Sequence, residues 1–398
     1  MANSPGVSSK PEKKRLALFL DGTWNVVADN TNVWRMKSLC APVGTDGVQQ
    51  LIYYNAGVGT QFGSRIRGGM LGYGLDDVVI ESYEWLIDHY EEGDDIFIFG
   101  FSRGAYTARS LAGLIAKCGL LSPGAPLGVT QIYSRYRLGP EARTLWALHA
   151  DQVAGTAGTL SVEEQWMLKY SMRVPIIFVG VWDTVGSMGN PLAGLRTNVT
   201  RYLFLDTHLY LDNELAFHAL ALDEHRRQFE PTFWTRTIDN DAAQEARSRT
   251  LEQVEQRWFV GAHANVGGGY PSDVLAQAPL KWLMDKAAAH GLHFRSDFQV
   301  DPPNPSAPIA DSYASFGPTL LRLFSKRFYR PVGAEPAVGT KRTTSRINET
   351  IDASVFERWR RNPAYRPPNL QAWAERFKLD PASLRESVLA SNPQVVVP

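Results

Sequence analysis

Residues 94–113 read DDIFIFGFSRGAYTARSLAG. An unbroken apolar run reaches Phe101, and Ala108, Leu111, Ala112 and Ile115 then recur at helical spacing. A run without alternation is what a strand covered on both faces of a parallel sheet requires, and the spacing after it predicts an amphipathic helix. Strand and helix meet at Gly100, Ser102 and Gly104, a G-x-S-x-G pentapeptide. In that setting the serine is held in a sharp, strained turn, and both flanking positions must be small for the backbones to approach each other.

The same alternation extends along the chain. LALFLDG ending at Gly22, QLIYYN at 50–55, VPIIFVGV ending at Val181 and WFVGA ending at Ala262 read as further strands. Leu75, Val78, Val79, Tyr83, Leu86 and Ile87 fall on one helical face, and a helix is predicted from Pro279 to a stop at Gly291. The predicted class is α/β: a mostly parallel sheet with helices on both faces and a ligand site outside the carboxyl ends of the strands. Residues 1–14 read as a flexible leader and 15–296 as the catalytic domain. A helical cap insertion is expected at about 121–172, and 297–398, rich in proline, as an irregular extension packed on the domain.

A serine hydroxyl needs a base, and the base needs an acid that fixes its tautomer. His263 fits the first role because it follows the strand RWFVGA directly and opens the glycine-rich HANVGGGY. The other histidines, such as His89, His218 and His225, are placed in helical or loop contexts with solvated or packed roles. Asp183, just beyond the strand VPIIFVGV, is the preferred acid, with Asp206, Asp223 and Asp273 as rivals. The order Ser102, Asp183, His263 is the one expected of α/β-hydrolases. The backbone N–H of Arg103, at a helix N-terminus, is a candidate oxyanion donor, and Gly22 and Thr23 offer the second. Asp21 is assigned a supporting role, hydrogen-bonding loop amides or pairing with Arg103. An alternative makes Asp21, Asp183 and His263 ligands of a metal ion, but it leaves the serine elbow unexplained; no metal or cofactor is expected.

Several function classes are excluded. Lys plus Arg and Asp plus Glu are 41 each, so no overall charge favours nucleic acid as a partner. The only cysteines, Cys40 and Cys118, are too few for a disulfide scaffold or a cysteine-rich zinc site. The glycine-rich loop from Gly57 to Gly74 lacks the G-K-[ST] ending of a nucleotide-binding loop. No window approaches the roughly 18 apolar residues that cross a bilayer, so a membrane contact would be peripheral. The polar start MANSPGVSSKPEKKR carries no signal-peptide pattern, which implies cytoplasmic synthesis and leaves open export by a signal-independent system. In LLRLFSKRFYR, Arg322, Lys326, Arg327 and Arg330 stand among Phe324, Phe328 and Tyr329, a mixture suited to an anionic lipid surface or to a snorkelling helix packed on the domain.

Six stretches in order are LFLDGTWN (18–25), YYNAGVGT (53–60), GDDIFIFGFSRGAYTARSLAG (93–113), GVWDTVGS (180–187), HALALDEHRRQFEPTFW (218–234) and GAHANVGGGYPSD (261–273). With a looser echo at 354–370, they resemble the α/β-hydrolase domain first classed as of unknown function (DUF2235) and tied to Tle1-like phospholipase effectors of the type VI secretion system. The resemblance implies lipase or phospholipase A-type ester hydrolysis, with Ser102 as nucleophile, Asp183 as acid and His263 as base. It also implies a lipid substrate and, for an effector, a secretion-system or immunity partner. It leaves a short-chain carboxylesterase and a non-catalytic binding module as alternatives. The family position held here by Asn265 is often acidic, a departure from the pattern.

Overall fold

Along the strand that ends at Phe101, successive side chains enter opposite halves of the core, which is why the whole run is apolar. The computed structural model describes residues 13–22, 30–57, 74–156, 158–186, 213–237, 249–271, 274–296, 304, 306–314, 326–334, 337–338 and 343–398. The runs predicted as strands form β1 (Arg15–Leu20), β2 (Gln50–Asn55), β3 (Asp95–Phe101), β4 (Ile176–Trp182) and β6 (Val254–Phe259). A strand not foreseen, β5 (Asn213–Ala221), lies between β4 and β6. Its sequence, NELAFHALA, is rich in good helix formers; pairing on both sides in a buried sheet overrides that propensity.

Leu16, Leu18, Leu20, Ile96 and Ile98 face α2 (Leu75–His89) and α3 (Arg103–Cys118). Ala17, Phe19, Phe97, Phe99 and Phe101 face the opposite side, against α1 (Asn32–Leu39) and a later helix. On that side the rings of Phe19, Phe99, Phe178 and Phe217 pack in a row across four adjacent strands with centroids 5.0–5.4 Å apart. Each buried ring contributes roughly 1.5–3 kcal/mol relative to exposure. The absent side chain of Gly180 makes room for the rings of Phe99 and Phe178.

Strand order in the main sheet is β2-β1-β3-β4-β5-β6, all parallel. The order reverses between β1 and β3, so a crevice opens at their carboxyl ends. Register then sets what reaches that edge. Leu20 pairs with Gly100, and Phe101 with Trp182, which pairs with Ala219.

Within 121–172 three helices form: α4 (Val129–Arg137), α5 (Leu145–Ala154) and α6 (Val162–Tyr170). Tyr133 donates to Asp76 in the first turn of α2 at 2.6 Å, and Gly113 of α3 leaves space for the ring of Tyr136. Leu145 packs at Gly119, just past the end of α3. α4 and α5 thus bury their apolar faces against α2 and α3, and α6 packs on α5.

Beyond β6 come α7 (His263–Gly267) and α8 (Gln277–Ala289), the latter matching the helix predicted around Pro279. The last quarter departs from the expectation of an irregular wrapping. Its β7 (Glu349–Ile351) extends the sheet in parallel beside β6, followed by α9 (Ala353–Arg361), α10 (Pro368–Phe377), β8 (Ser387–Leu389) and β9 (Asn392–Val397). β8 and β9 close that edge in antiparallel pairing. At three residues each, β7 and β8 are too short to show a period, and Pro368, which reads as a breaker, occupies the first turn of α10. Trp258, Ile351, Phe356 and Trp373 give this end its own core. Among the described residues no helix is long and apolar enough to cross a membrane.

Candidate active site

Ser102 follows the last residue of β3 and stands at the N-cap of α3 with φ 58° and ψ −120°. A positive φ at a residue with a β-carbon is strained, as the pentapeptide predicts. The flanking glycines explain themselves. A β-carbon at Gly104 would lie 2.2 Å from the carbonyl oxygen of Leu20 in β1, and one at Gly100 would lie 2.4 Å from that of Gly104. The Ser102 N–H donates to the Trp182 carbonyl at 3.1 Å, which ties the turn to β4.

The three residues singled out as a triad come together. The Ser102 hydroxyl lies 2.8 Å from His263 Nε2, and His263 Nδ1 lies 2.5 Å from Asp183 Oδ2. Burial alone would raise the Asp183 pKa. The Arg330 charge, with hydrogen bonds from His263 and Arg330, outweighs it and holds the carboxyl well below the usual range. An ionised carboxylate only accepts, so Nδ1 carries a proton, and in the neutral ring Nε2 is then the acceptor facing the serine. The imidazole is packed between Phe101 and Phe229, with centroids at 4.7 and 4.9 Å. His263 opens α7, and its own N–H donates to Glu224 Oε2 at 3.2 Å.

Asp183 is wholly buried and has a positive φ of 40°. Its Oδ1 accepts from the N–H of Ala221 at 2.9 Å and from Arg330 Nη1 at 2.7 Å. Arg330 Nη2 donates to Oδ2 at 3.0 Å. The same guanidinium donates to the carbonyls of Ala221 and Phe229, and Arg330 is 0% exposed. This corrects the reading of the basic aromatic run at Arg330: residues 326–330 are not helical, and Arg330 turns inward to a buried carboxylate, while Lys326, Arg327 and Tyr329 are exposed. Arg327 instead pairs with Asp311 at 2.5 Å, while Arg322 and Phe324 lie outside the described residues. Nothing in the sequence around Arg330 marks it, because its partner is 147 residues away.

The remaining expectations divide. Asp21 is buried and accepts from the Gly22 N–H at 2.7 Å and from the hydroxyls of Thr31 at 2.5 Å and Tyr54 at 3.1 Å. The Gly22 N–H, expected as the second oxyanion donor, is therefore held by the adjacent carboxylate. Thr23 lies outside the described residues, as do the rival acids Asp206 and Asp273 and the loop 58–73. Arg103 begins α3, where the first N–H groups of a helix find no acceptor within it. Asp223 serves elsewhere: it accepts from the Gly261 N–H at 2.7 Å and from Tyr365, with burial raising its pKa. Asn265 accepts from the N–H of Ala262 and of Ala310, which an amide oxygen does as well as a carboxylate.

His218 corrects its assignment to a helix or loop, since it sits in β5. Its Nε2 accepts from the Thr184 N–H at 3.0 Å and so steadies the loop after Asp183; burial, chiefly, depresses its pKa to about 3. The metal alternative fails on geometry. A guanidinium occupies the Asp183 carboxylate where a cation would sit, Asp21 is engaged by its own neighbours, and among the described residues no group of three or more His, Cys, Asp or Glu is arranged to hold a metal ion.

A parallel sheet with a strained serine between β3 and α3 and an order reversal beside it defines an α/β-hydrolase-like protein. Comparison with known proteins gives the particular family. Residues 14–286 match the family described as type VI secretion system (T6SS) phospholipase effector Tle1-like, catalytic domain, and the chain belongs to it. It is 29% identical over 242 residues to the uncharacterized protein YEL023C of Saccharomyces cerevisiae, covering 56% of this chain and 33% of that protein. Among solved structures it is similar to the Tle1 effector bound to the VgrG spike of the type 6 secretion system, at 16% identity and TM-score 0.35, covering 68% of this chain and 56% of that one. It is also similar to an uncharacterized protein from Pseudomonas aeruginosa, at 15% identity and TM-score 0.37, covering 73% and 48%. The chain thus spans about a third of the yeast relative and about half of each of these two structures.

Proposed function

We propose that this protein is a serine hydrolase that cleaves carboxylic esters of lipids or phospholipids through an acyl-enzyme on Ser102. The observation that carries the reading is the hydrogen-bonded series Ser102, His263, Asp183 at the carboxyl edge of the sheet, with spacings of 2.8 and 2.5 Å. As Ser102 Oγ attacks the carbonyl carbon, its proton passes to His263 Nε2, and the Asp183 carboxylate stabilises the imidazolium. The N-terminus of α3, with the Arg103 N–H in its first turn, faces the developing oxyanion. His263 then protonates the leaving alcohol, and water, deprotonated by the same imidazole, releases the acyl group and restores the serine. Lipid as the substrate class, and a secretion-system component as partner, are supported by the family match over 14–286.

The test is hydrolysis of a panel running from short acyl esters through triglycerides to phospholipids, beside Ser102→Ala, with fluorophosphonate labelling of the folded protein. The expected result is serine-dependent cleavage of the lipid esters and labelling at Ser102. Cleavage confined to short esters would replace the lipid reading with a carboxylesterase. A folded sample that neither labels nor hydrolyses would sink the catalytic reading and leave a binding module.

A further inference from the structure

We propose that Arg330 is a positioning residue for the reaction at Ser102, so that the last quarter of the chain supplies part of the working centre. The proposal rests on the roles given above to Ser102, His263 and Asp183.

The first ground is geometric. Asp183 Oδ1 receives Ala221 N–H and Arg330 Nη1, and Oδ2 receives His263 Nδ1 and Arg330 Nη2. The planar fork matches the planar carboxylate, and the carbonyls of Ala221 and Phe229 hold the guanidinium on its other side. The carboxylate is thereby confined to one plane, and the imidazole it holds meets the serine in one orientation.

The second ground is electrostatic. A carboxyl with no solvent exposure tends to take up a proton, and a protonated Asp183 would no longer hold His263 in the tautomer whose Nε2 accepts. Arg330 opposes that. The groups facing Asp183 are His263 from α7, Arg330 from the extension and His218 from β5, which burial keeps neutral; Glu224 lies beyond, against the His263 N–H. A fully buried ion pair adds little net stability compared with apolar packing, so stabilising the fold is a weak reason for this one.

The third ground is that Arg330 does not reach the site alone. Ala310 N–H donates to Asn265 at 3.0 Å, Ser312 to Glu224 at 3.0 Å and Tyr365 to Asp223 at 3.1 Å. Each recipient lies beside His263 or in the loop after β5, and each donor lies outside residues 14–286, the span matched by the family. The extension thus closes over the polar layer that supports the imidazole and carboxylate.

The experiment compares wild type, Arg330→Ala and Arg330→Lys in full-length protein. It reads kcat and KM on a p-nitrophenyl ester across pH, the rate of fluorophosphonate labelling, and the low-field proton resonance of His263 Nδ1. For Arg330→Ala, kcat should fall on the order of 10²-fold with KM little changed, a scale below the loss from removing the acid itself. The acid limb of kcat/KM should move to higher pH, because Asp183 loses the charge that keeps it ionised. Arg330→Lys should recover part of the rate, and added guanidinium ion should raise that of Arg330→Ala but not of wild type. Equality of folded variants with wild type in kcat, acid limb and proton resonance overturns the proposal. If Arg330→Ala does not fold, Arg330→Lys decides, and its equality with wild type is the overturning result. Wild type that fails to label at Ser102 overturns the proposed function instead. The Nδ1 resonance still tests Arg330 in that event, since it reports on Asp183 and His263 without any ester being cleaved.

Discussion

Arg330 forks onto both carboxylate oxygens of Asp183, at 2.7 and 3.0 Å, with neither side chain exposed to solvent. Removing one partner of such a pair leaves the other charge buried and uncompensated. Asp183→Asn is expected to lower the stability of the folded state by roughly 3–5 kcal/mol. Adding Arg330→Met to it should restore part of the loss, since the orphaned charge is then gone. Urea unfolding of the single and double variants checks this. A single-variant loss below about 1 kcal/mol would mean that the pair is hydrated or rearranged.

At Ser102 the strain has a measurable signature. A non-glycine residue held in a sparsely populated backbone region costs of order 1–3 kcal/mol, and φ 58° with ψ −120° is such a region. Glycine relieves that strain but loses more chain entropy on folding. Both Ser102→Gly and Ser102→Ala should lack activity, with the glycine variant the more stable by about 1 kcal/mol. Thermal denaturation of the pair gives the answer, and an alanine variant as stable as the glycine one argues that the elbow is relaxed.

His218 predicts a slope. Burial, aided by Arg109, lowers its pKa from 6.5 to about 3, so between those values the unfolded chain binds a proton that the folded chain refuses. Its contribution to stability is complete above pH 6.5 and is lost as the pH falls toward 3, at about 1.4 kcal/mol per pH unit. The depressed carboxyl of Asp183 acts in the same direction, but only below its ordinary value of 3.8. Between pH 6 and 4.5 the fall should therefore be shallower in His218→Gln than in wild type. Urea midpoints over that range measure it, and parallel slopes would show that His218 takes up its proton in the folded state.

How far the sequence carried is visible residue by residue. The elbow was legible because its causes are local: a strand that must be apolar on both faces, a helix at 3.6-residue spacing, and glycines where backbones meet. His263 and Asp183 were legible for a related reason, since each directly follows an apolar run and parallel strands deliver such residues to a single edge. β5 was not, because Ala, Leu and Glu favour a helix until neighbours on both sides impose a strand. β7 and β8, three residues each, were too short to show a period.

By itself, then, the sequence determined the parallel sheet, the serine turn and the set of side chains offered to its carboxyl edge, because strand period, steric fit at glycine and chain direction act over a few residues. The tertiary structure alone decided that α4 and α5 pack on α2 and α3, that His218 lies in a strand beneath the Asp183 loop, and that Arg330 meets Asp183. These depend on charge and packing between segments up to 147 residues apart, and a buried carboxylate draws its partner from whatever part of the folded chain comes within reach.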